Sequence, residues 1–183
     1  MNKPTSLLLD ADVIVYAHQF EVWERIKGAY HVHVSATVID EARYFKSRGG
    51  RRDIDLKAQE AAGEIARLDA DAVDVALTFK DFDPTFLAAL HDGEKEAITI
   101  LRARVDSGLA FCTGDVVAIQ SVAMLGLSGS CLSFEELLQK AGSPPSRLRL
   151  PAALAKKAHD HHLSLGKTRR ITGECFKNPP LAR

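Results

Sequence analysis

Net charge is what this chain most conspicuously lacks: its 183 residues carry 24 Lys+Arg against 24 Asp+Glu. A neutral total argues against a protein held on nucleic acid by one large positive field, although it leaves room for a local basic patch. Cysteine is scarce too. Cys112, Cys131 and Cys175 are three in number with no CxxC pair, which suggests neither a disulfide framework nor a zinc ribbon. Cys112 and Cys131 sit in apolar runs and read as small core residues. No apolar run approaches the ~18–20 residues that span a bilayer, and two aspartates interrupt MNKPTSLLLDADVIVYA before a signal-peptide core can form. These absences predict a soluble, cytoplasmic protein without a membrane segment. Neither GxGxxG nor GxxxxGK[ST] occurs, so no phosphate loop of those kinds is present.

What is there becomes visible when the charge is divided. Residues 1–143 hold 15 Lys+Arg and 22 Asp+Glu, whereas 144–183 hold 9 and 2. An acidic body is followed by a basic extension, joined through Ala141-Gly142-Ser143-Pro144-Pro145-Ser146, a linker composition whose paired prolines stop a helix. With 46% apolar residues and a length suited to one domain plus an extension, the body can bury a sizeable core.

Short apolar runs alternate with amphipathic ones. Ser6–Asp10, Tyr30–Val34, Val73–Phe79, Leu109–Thr113 and Ser130–Leu132 read as strands. Helices are predicted over Val13–Ala29 (one or a pair), from the cap Ser35 to about Lys46, over Ile54–Leu68, and for a turn or more at Pro84–Leu90. Others are expected over Gly93–Val105, Val116–Leu125, Ser133–Lys140 and Leu150–Leu165. Between Lys46 and Arg52 a flexible basic loop is expected. Strands separated by helices require parallel crossovers, which predicts a three-layer α/β/α sandwich around a short, mostly parallel sheet, with a basic helical C-terminal extension.

Ligands of such sheets bind beyond the carboxyl ends of the strands, and two strand ends here are acidic: Asp10 closes LLLD, and Asp115 follows LAFCT by one glycine. Capping of the next helix is the ordinary role for such residues. Glu41 flanks the apolar stripe Val38/Ala42, and Glu94 falls in a first helical turn, where negative charge suits the helix dipole in any protein.

The order strand-Asp, helix-Glu, helix-Glu, strand-Thr-x-Asp resembles the PIN-domain family of metal-dependent nucleases, particularly its compact VapC-type members. The matching residues are Asp10 in LLLDADVIVYA, Glu41 in VSATVIDEA, Glu94 in GEKEAITIL, and Thr113 with Asp115 in FCTGDVVAIQSVAMLG, spanning Ser6 to Gly142. Two departures stand out: Gly114 occupies a position where the family often has Asn or Asp, and Asp12, Asp40 and Asp92 are neighbouring acids able to stand in for those assigned. The resemblance implies Mg²⁺- or Mn²⁺-dependent hydrolysis of RNA phosphodiesters. Asp10, Glu41, Glu94 and Asp115 would hold metal directly or through water, with Asp12 and Asp92 as secondary candidates and Thr113 orienting a ligand or water. It also implies a possible protein antitoxin and a homodimer.

An acidic pocket repels phosphate, so the grip has to come from its rim. Lys46, Arg48, Arg51 and Arg52 are the candidates in the body. In the extension they are Lys156, Lys157, Arg169 and Arg170, together with His159, His161 and His162 on an exposed helical face. Binding of a transition metal by this His-rich piece is the lesser expectation. Two other functions compete. Asp10-Ala11-Asp12 also resembles the opening motif of haloacid-dehalogenase-type phosphatases, but the expected second acid after Gly114-Asp115 is Ile119. A non-catalytic RNA-binding module would leave the four acids without an evident structural need.

Overall fold

Alternation in the apolar runs decides the layering. In Ser6–Leu9 the side chains of Leu7 and Leu9 join one buried cluster and Leu8 the other, and Ala110 and Cys112 are likewise separated from Phe111. A strand buried on both faces reads as a continuous hydrophobic run, and all three leucines are 0% exposed. Full burial of each is worth ~1.5–3 kcal/mol, which makes this strand the natural centre of the molecule.

The computed structural model describes residues 6–47, 49–143 and 148–177. It runs β1 (Ser6–Leu9), α1 (Ala11–Gln19), α2 (Trp23–Ala29), β2 (His31–Ser35), α3 (Ala36–Glu41), β3 (Tyr44–Ser47), β4 (Gly50–Asp53), α4 (Leu56–Ala61) and β5 (Ala66–Leu68). It continues α5 (Ala72–Thr78), α6 (Pro84–Leu87), α7 (Asp92–Ala103), β6 (Ala110–Cys112), α8 (Val116–Met124), β7 (Cys131–Leu132), α9 (Phe134–Lys140) and α10 (Lys156–Thr172). Five strands form one sheet in the order β5-β2-β1-β6-β7, every pairing parallel. Residues of α1, α2, α3, α4 and α9 bury against one face, and residues of α7 and α8 against the other. The three-layer α/β/α sandwich is as the sequence predicts.

Four local expectations are corrected. The helix from Ser35 ends at Glu41 rather than near Lys46, and the chain then turns into a β-hairpin, not a flexible loop: Phe45 pairs with Arg52 and Lys46 with Arg51. Arg48 lies outside the described residues, as does the predicted linker from Pro144 to Ser146. The long helix over Ile54–Leu68 is instead α4 followed by β5. Val73–Phe79 is helical, because Asp71 caps α5 by accepting from Asp74 N at 2.8 Å and Val73 and Leu77 remain exposed. Finally, His159 is 1% exposed, not on the outer face of its helix.

The extension packs on the body. Its helix starts at Lys156 rather than Leu150 and continues to Thr172. Along α10, Gly166 faces α8 so closely that a Cβ there would lie 2.5 Å from the Gln120 carbonyl oxygen. The two helices run in the same direction: His162 meets Gln120 at 3.4 Å, while Arg170 covers Gly126 beyond the end of α8. Among the described residues no helix is long and apolar enough to cross a membrane.

Candidate metal centre at the sheet switch point

From β1 the chain proceeds to β2 and β5 on one side of the sheet, while β6 and β7 lie on the other. The crevice between the carboxyl ends of β1 and β6 is therefore the topological switch point, the usual ligand position in open parallel sheets. Leu9 pairs with Cys112 there, and the next residue, Asp10, donates its backbone N–H to the Cys112 carbonyl at 3.2 Å. This pairing brings Asp10 beside Thr113. The Thr113 hydroxyl donates to Asp10 Oδ2 at 2.7 Å and accepts from Asp115 N at 3.1 Å, joining the two acidic strand ends through one buried side chain.

Both aspartates also do ordinary structural work. Asp10 Oδ1 accepts from Ala11 N at 2.8 Å at the start of α1, and Asp115 Oδ1 accepts from Ala118 N at 2.7 Å at the start of α8. A carboxylate has about four acceptor positions, so each retains unused lone pairs after these bonds.

Two further acids come from the α3–α7 contact. Glu94 Oε2 accepts from His91 N at 2.8 Å, closing a capping box at the start of α7. Glu41, the last residue of α3, lies against the same turn: a Cβ on Gly93 would be 3.0 Å from Glu41 Oε2. Glu96 fastens the two helices by accepting from Thr37 N at 3.1 Å. Asp12 and Asp92 are exposed at the margin, and Asp40 is turned away into an ion pair with Lys57 at 2.8 Å.

Burial governs the electrostatics. It pushes Asp10 up from 3.8 to about 6, with the charges of Asp12 and Asp115 adding to the rise and the bonds from Thr113 and Ala11 opposing it. Burial likewise pushes Glu94 up to about 7, against the hydrogen bond from His91 N and reinforced by Asp115 and Asp10. Glu41 is raised by burial and by Asp12, Asp92 and Glu96. The Glu94 carboxylate raises His91, which also faces Asp115 and Glu41. Asp10, Glu94 and Asp115 thus act on one another, and Glu41 stands on the adjoining rim. Among the described residues these acids do not bring three oxygens within 4.8 Å of one another. The donor set is nevertheless all oxygen and short of positive charge, which suits a hard cation that takes one or two carboxylates and completes its shell with water.

Several contributors escape sequence reasoning. His91 is one. Gly93 is another, and a glycine inside the first turn of a helix is a poor helix former that signals close approach. Leu154 is the third: from a turn at Ala152–Leu154 it fills the space above Gly114, where a Cβ would meet Leu154 Cδ2 at 2.7 Å. The space beside Gly114 is thus filled by an apolar side chain of the extension, itself 2% exposed.

The proposed phosphate contacts are dispersed. Lys46 and Arg51 are direct cross-strand partners on the hairpin, and Arg51 stacks on Tyr44 at 3.7 Å. Arg52 lines a separate cavity of ≈ 590 Å³ with His18, Phe20 and Phe45. Lys156 is engaged by Glu136 and Asp160, whereas Lys157 is exposed. Arg169 contacts Gln120, Glu174 and the Phe86 ring, and Arg170 lies over Gly126. At 1.5 Å per residue these two arginines stand roughly 20 Å along the extension from Leu154, Arg170 beyond the end of α8 remote from Asp115 and Arg169 reaching Gln120 in its middle. No family model, no curated protein and no solved structure matches the chain.

Proposed function

We propose that the chain is a metal-dependent ribonuclease of the PIN type, hydrolysing phosphodiester bonds with Mg²⁺ or Mn²⁺ held by Asp10, Glu94 and Asp115, directly or through water, and by Glu41 from the rim. The observation that carries it is the burial of Asp10 and Glu94, each 6% exposed, beside Asp115 at the switch point. Like charges gathered in a desolvated crevice resist ionisation, and a divalent cation relieves that cost. When bound, such a cation lowers the pKa of a coordinated water and offsets charge on the leaving oxygen. Thr113 holds Asp10 in one orientation and couples it to the Asp115 backbone. Burial holds the metal-free Glu94 up near 7, so a cation binding there would displace a proton that the carboxyl keeps at neutral pH.

The basic hairpin is the preferred hold on the substrate backbone. Lys46 and Arg51 face each other as like charges, with Asp53 3.7 Å from Arg51 as a partial counter-charge, and an anion lying across the pair would relieve the remaining repulsion. RNA as substrate, silencing by an antitoxin that inserts Arg or Lys, and homodimerisation rest on the PIN resemblance.

The direct test is RNA cleavage in Mn²⁺ by the wild type, Asp10→Asn and Asp115→Asn, with melting temperatures measured in parallel. Each substitution is expected to lower the rate by at least about 10²-fold, the scale of a lost catalytic group, while the protein stays folded. Undiminished cleavage by both variants contradicts the assignment, and a phosphoenzyme trapped on Asp10 would indicate a phosphatase instead.

A further inference from the structure

A second set of metal-ligand side chains lies where α10 meets α9. Glu136 stands in the first turn of α9, His159 and Asp160 near the start of α10. One ligand atom from each lies within 4.8 Å of the other two. His159 is 1% exposed, and among the described residues its buried Nδ1 has no hydrogen-bond partner while lying 3.7 Å from Asp160 Oδ1. Its Nε2 meets Cys131 Sγ at 3.4 Å. An orphaned ring nitrogen aimed at two carboxylates is costly in a finished core and appropriate in a ligand site.

We propose that Glu136, His159 Nδ1 and Asp160 form a site for a first-row transition-metal dication, Zn²⁺ foremost, that fastens the C-terminal helix to the body. Imidazole with carboxylates suits Zn²⁺ in a four-coordinate site with water as the fourth ligand, and disfavours Mg²⁺. Burial lowers His159 below its ordinary range, against the opposing pull of the Glu136 and Asp160 carboxylates. Nε2 lies beside Cys131 Sγ, so the tautomer that carries its proton on Nε2 leaves the Nδ1 lone pair for the metal.

Lys156 competes for this place. Its Nζ lies 3.1 Å from Glu136 Oε1 and 2.9 Å from Asp160 Oδ2, where it neutralises both carboxylates. The lysine is half-exposed on a flexible stem, and a surface pair of this kind contributes little to stability. Glu136 Oε2 stays with Ser133 throughout, accepting from its hydroxyl at 2.9 Å, so the carboxylate is already oriented when the lysine leaves. Bound metal would hold the start of α10 in place, and with it Leu154 over Gly114.

The site is independent of the nuclease proposal, and its test separates the two. Zn²⁺ is titrated calorimetrically into the full chain as wild type, Lys156→Met, Asp160→Asn and Asp115→Asn, with melting curves in chelator and in Zn²⁺. Lys156→Met is expected to bind Zn²⁺ more tightly than the wild type. Asp160→Asn should bind at least about tenfold more weakly, a loss that even second-shell changes reach, and Asp115→Asn should be unaffected at this site. Asp160 is exposed, so its substitution leaves the metal-free melting temperature nearly unchanged. Absence of Zn²⁺ binding by Lys156→Met overturns the proposal. So does Zn²⁺ affinity that survives Asp160→Asn but disappears in Asp115→Asn.

Discussion

At the scale of single residues, the chemistry turns on where the protons sit. Asp10 and Glu94 have folded pKa values of about 6 and about 7, above their ordinary 3.8 and 4.5. The folded chain therefore retains protons that the unfolded chain releases between about pH 4 and 7, and the unfolded state binds fewer protons across that window. Without metal, these two groups make stability fall as pH rises through the window and level off above it. For Asp10, about two units at ~1.4 kcal/mol each amount to roughly 3 kcal/mol. Asp10→Asn removes its share, and the amide can donate to Thr113 Oγ1 in place of accepting. In chelator at pH 8, Asp10→Asn is expected to melt at or above the wild-type temperature, with a shallower loss of stability from pH 4.5 to 8 by chemical denaturation. A variant markedly less stable than the wild type at pH 8 would mean that Asp10 serves as a cap rather than as a strained ligand. Asp10 and Asp115 were legible because strand ends are legible. His91 and Leu154 were not, because nothing in linear spacing tells which loop covers a given strand end.

At the scale of elements, the extension and the hairpin show how pairing overrides local pattern. VDVALTF alternates like a strand, yet Asp71 and its bond to Asp74 N make it a helix, and that capping signal was already present in the sequence. Ser35 to Lys46 reads as one helix until Tyr44–Ser47 finds Gly50–Asp53. Gly50 supplies φ 110°, and no helical periodicity reveals such a partner in advance. The α8–α10 contact depends on Gly166 in the same non-local way. Gly166→Ala places a methyl group against the Gln120 carbonyl and Ala123 Cβ, at 2.5 and 2.7 Å. Backbone cannot yield as a side-chain tip does, so the substitution is expected to cost ~1–3 kcal/mol in urea denaturation despite the better helix propensity of alanine. A neutral or stabilising result would show that α10 does not rest on α8.

At the scale of the whole molecule, the zero net charge conceals a division of labour. The acidic body gathers carboxylates at the one crevice where the strand order reverses, and the neutral total gives no sign of it. Part of the basic extension's charge is engaged in ion pairs: Lys156 answers Glu136 and Asp160, and Arg169 answers Glu174. Exposed positive charge for a phosphate backbone is more evident on the hairpin, where Lys46 and Arg52 accompany the Arg51–Asp53 pair and which starts three residues beyond Glu41. The layer architecture followed from alternating apolar runs, whereas the distribution of paired and unpaired charge required the packing of α9 against α10. The measurement that bears most directly on the central claim is a crystal structure of the full chain soaked in Mn²⁺ near pH 8, with the ion located by anomalous scattering. An anomalous peak between Asp10, Glu94 and Asp115 is the predicted result. Manganese confined to Glu136, His159 and Asp160, or absent from the crevice between β1 and β6 at saturating concentration, would contradict it.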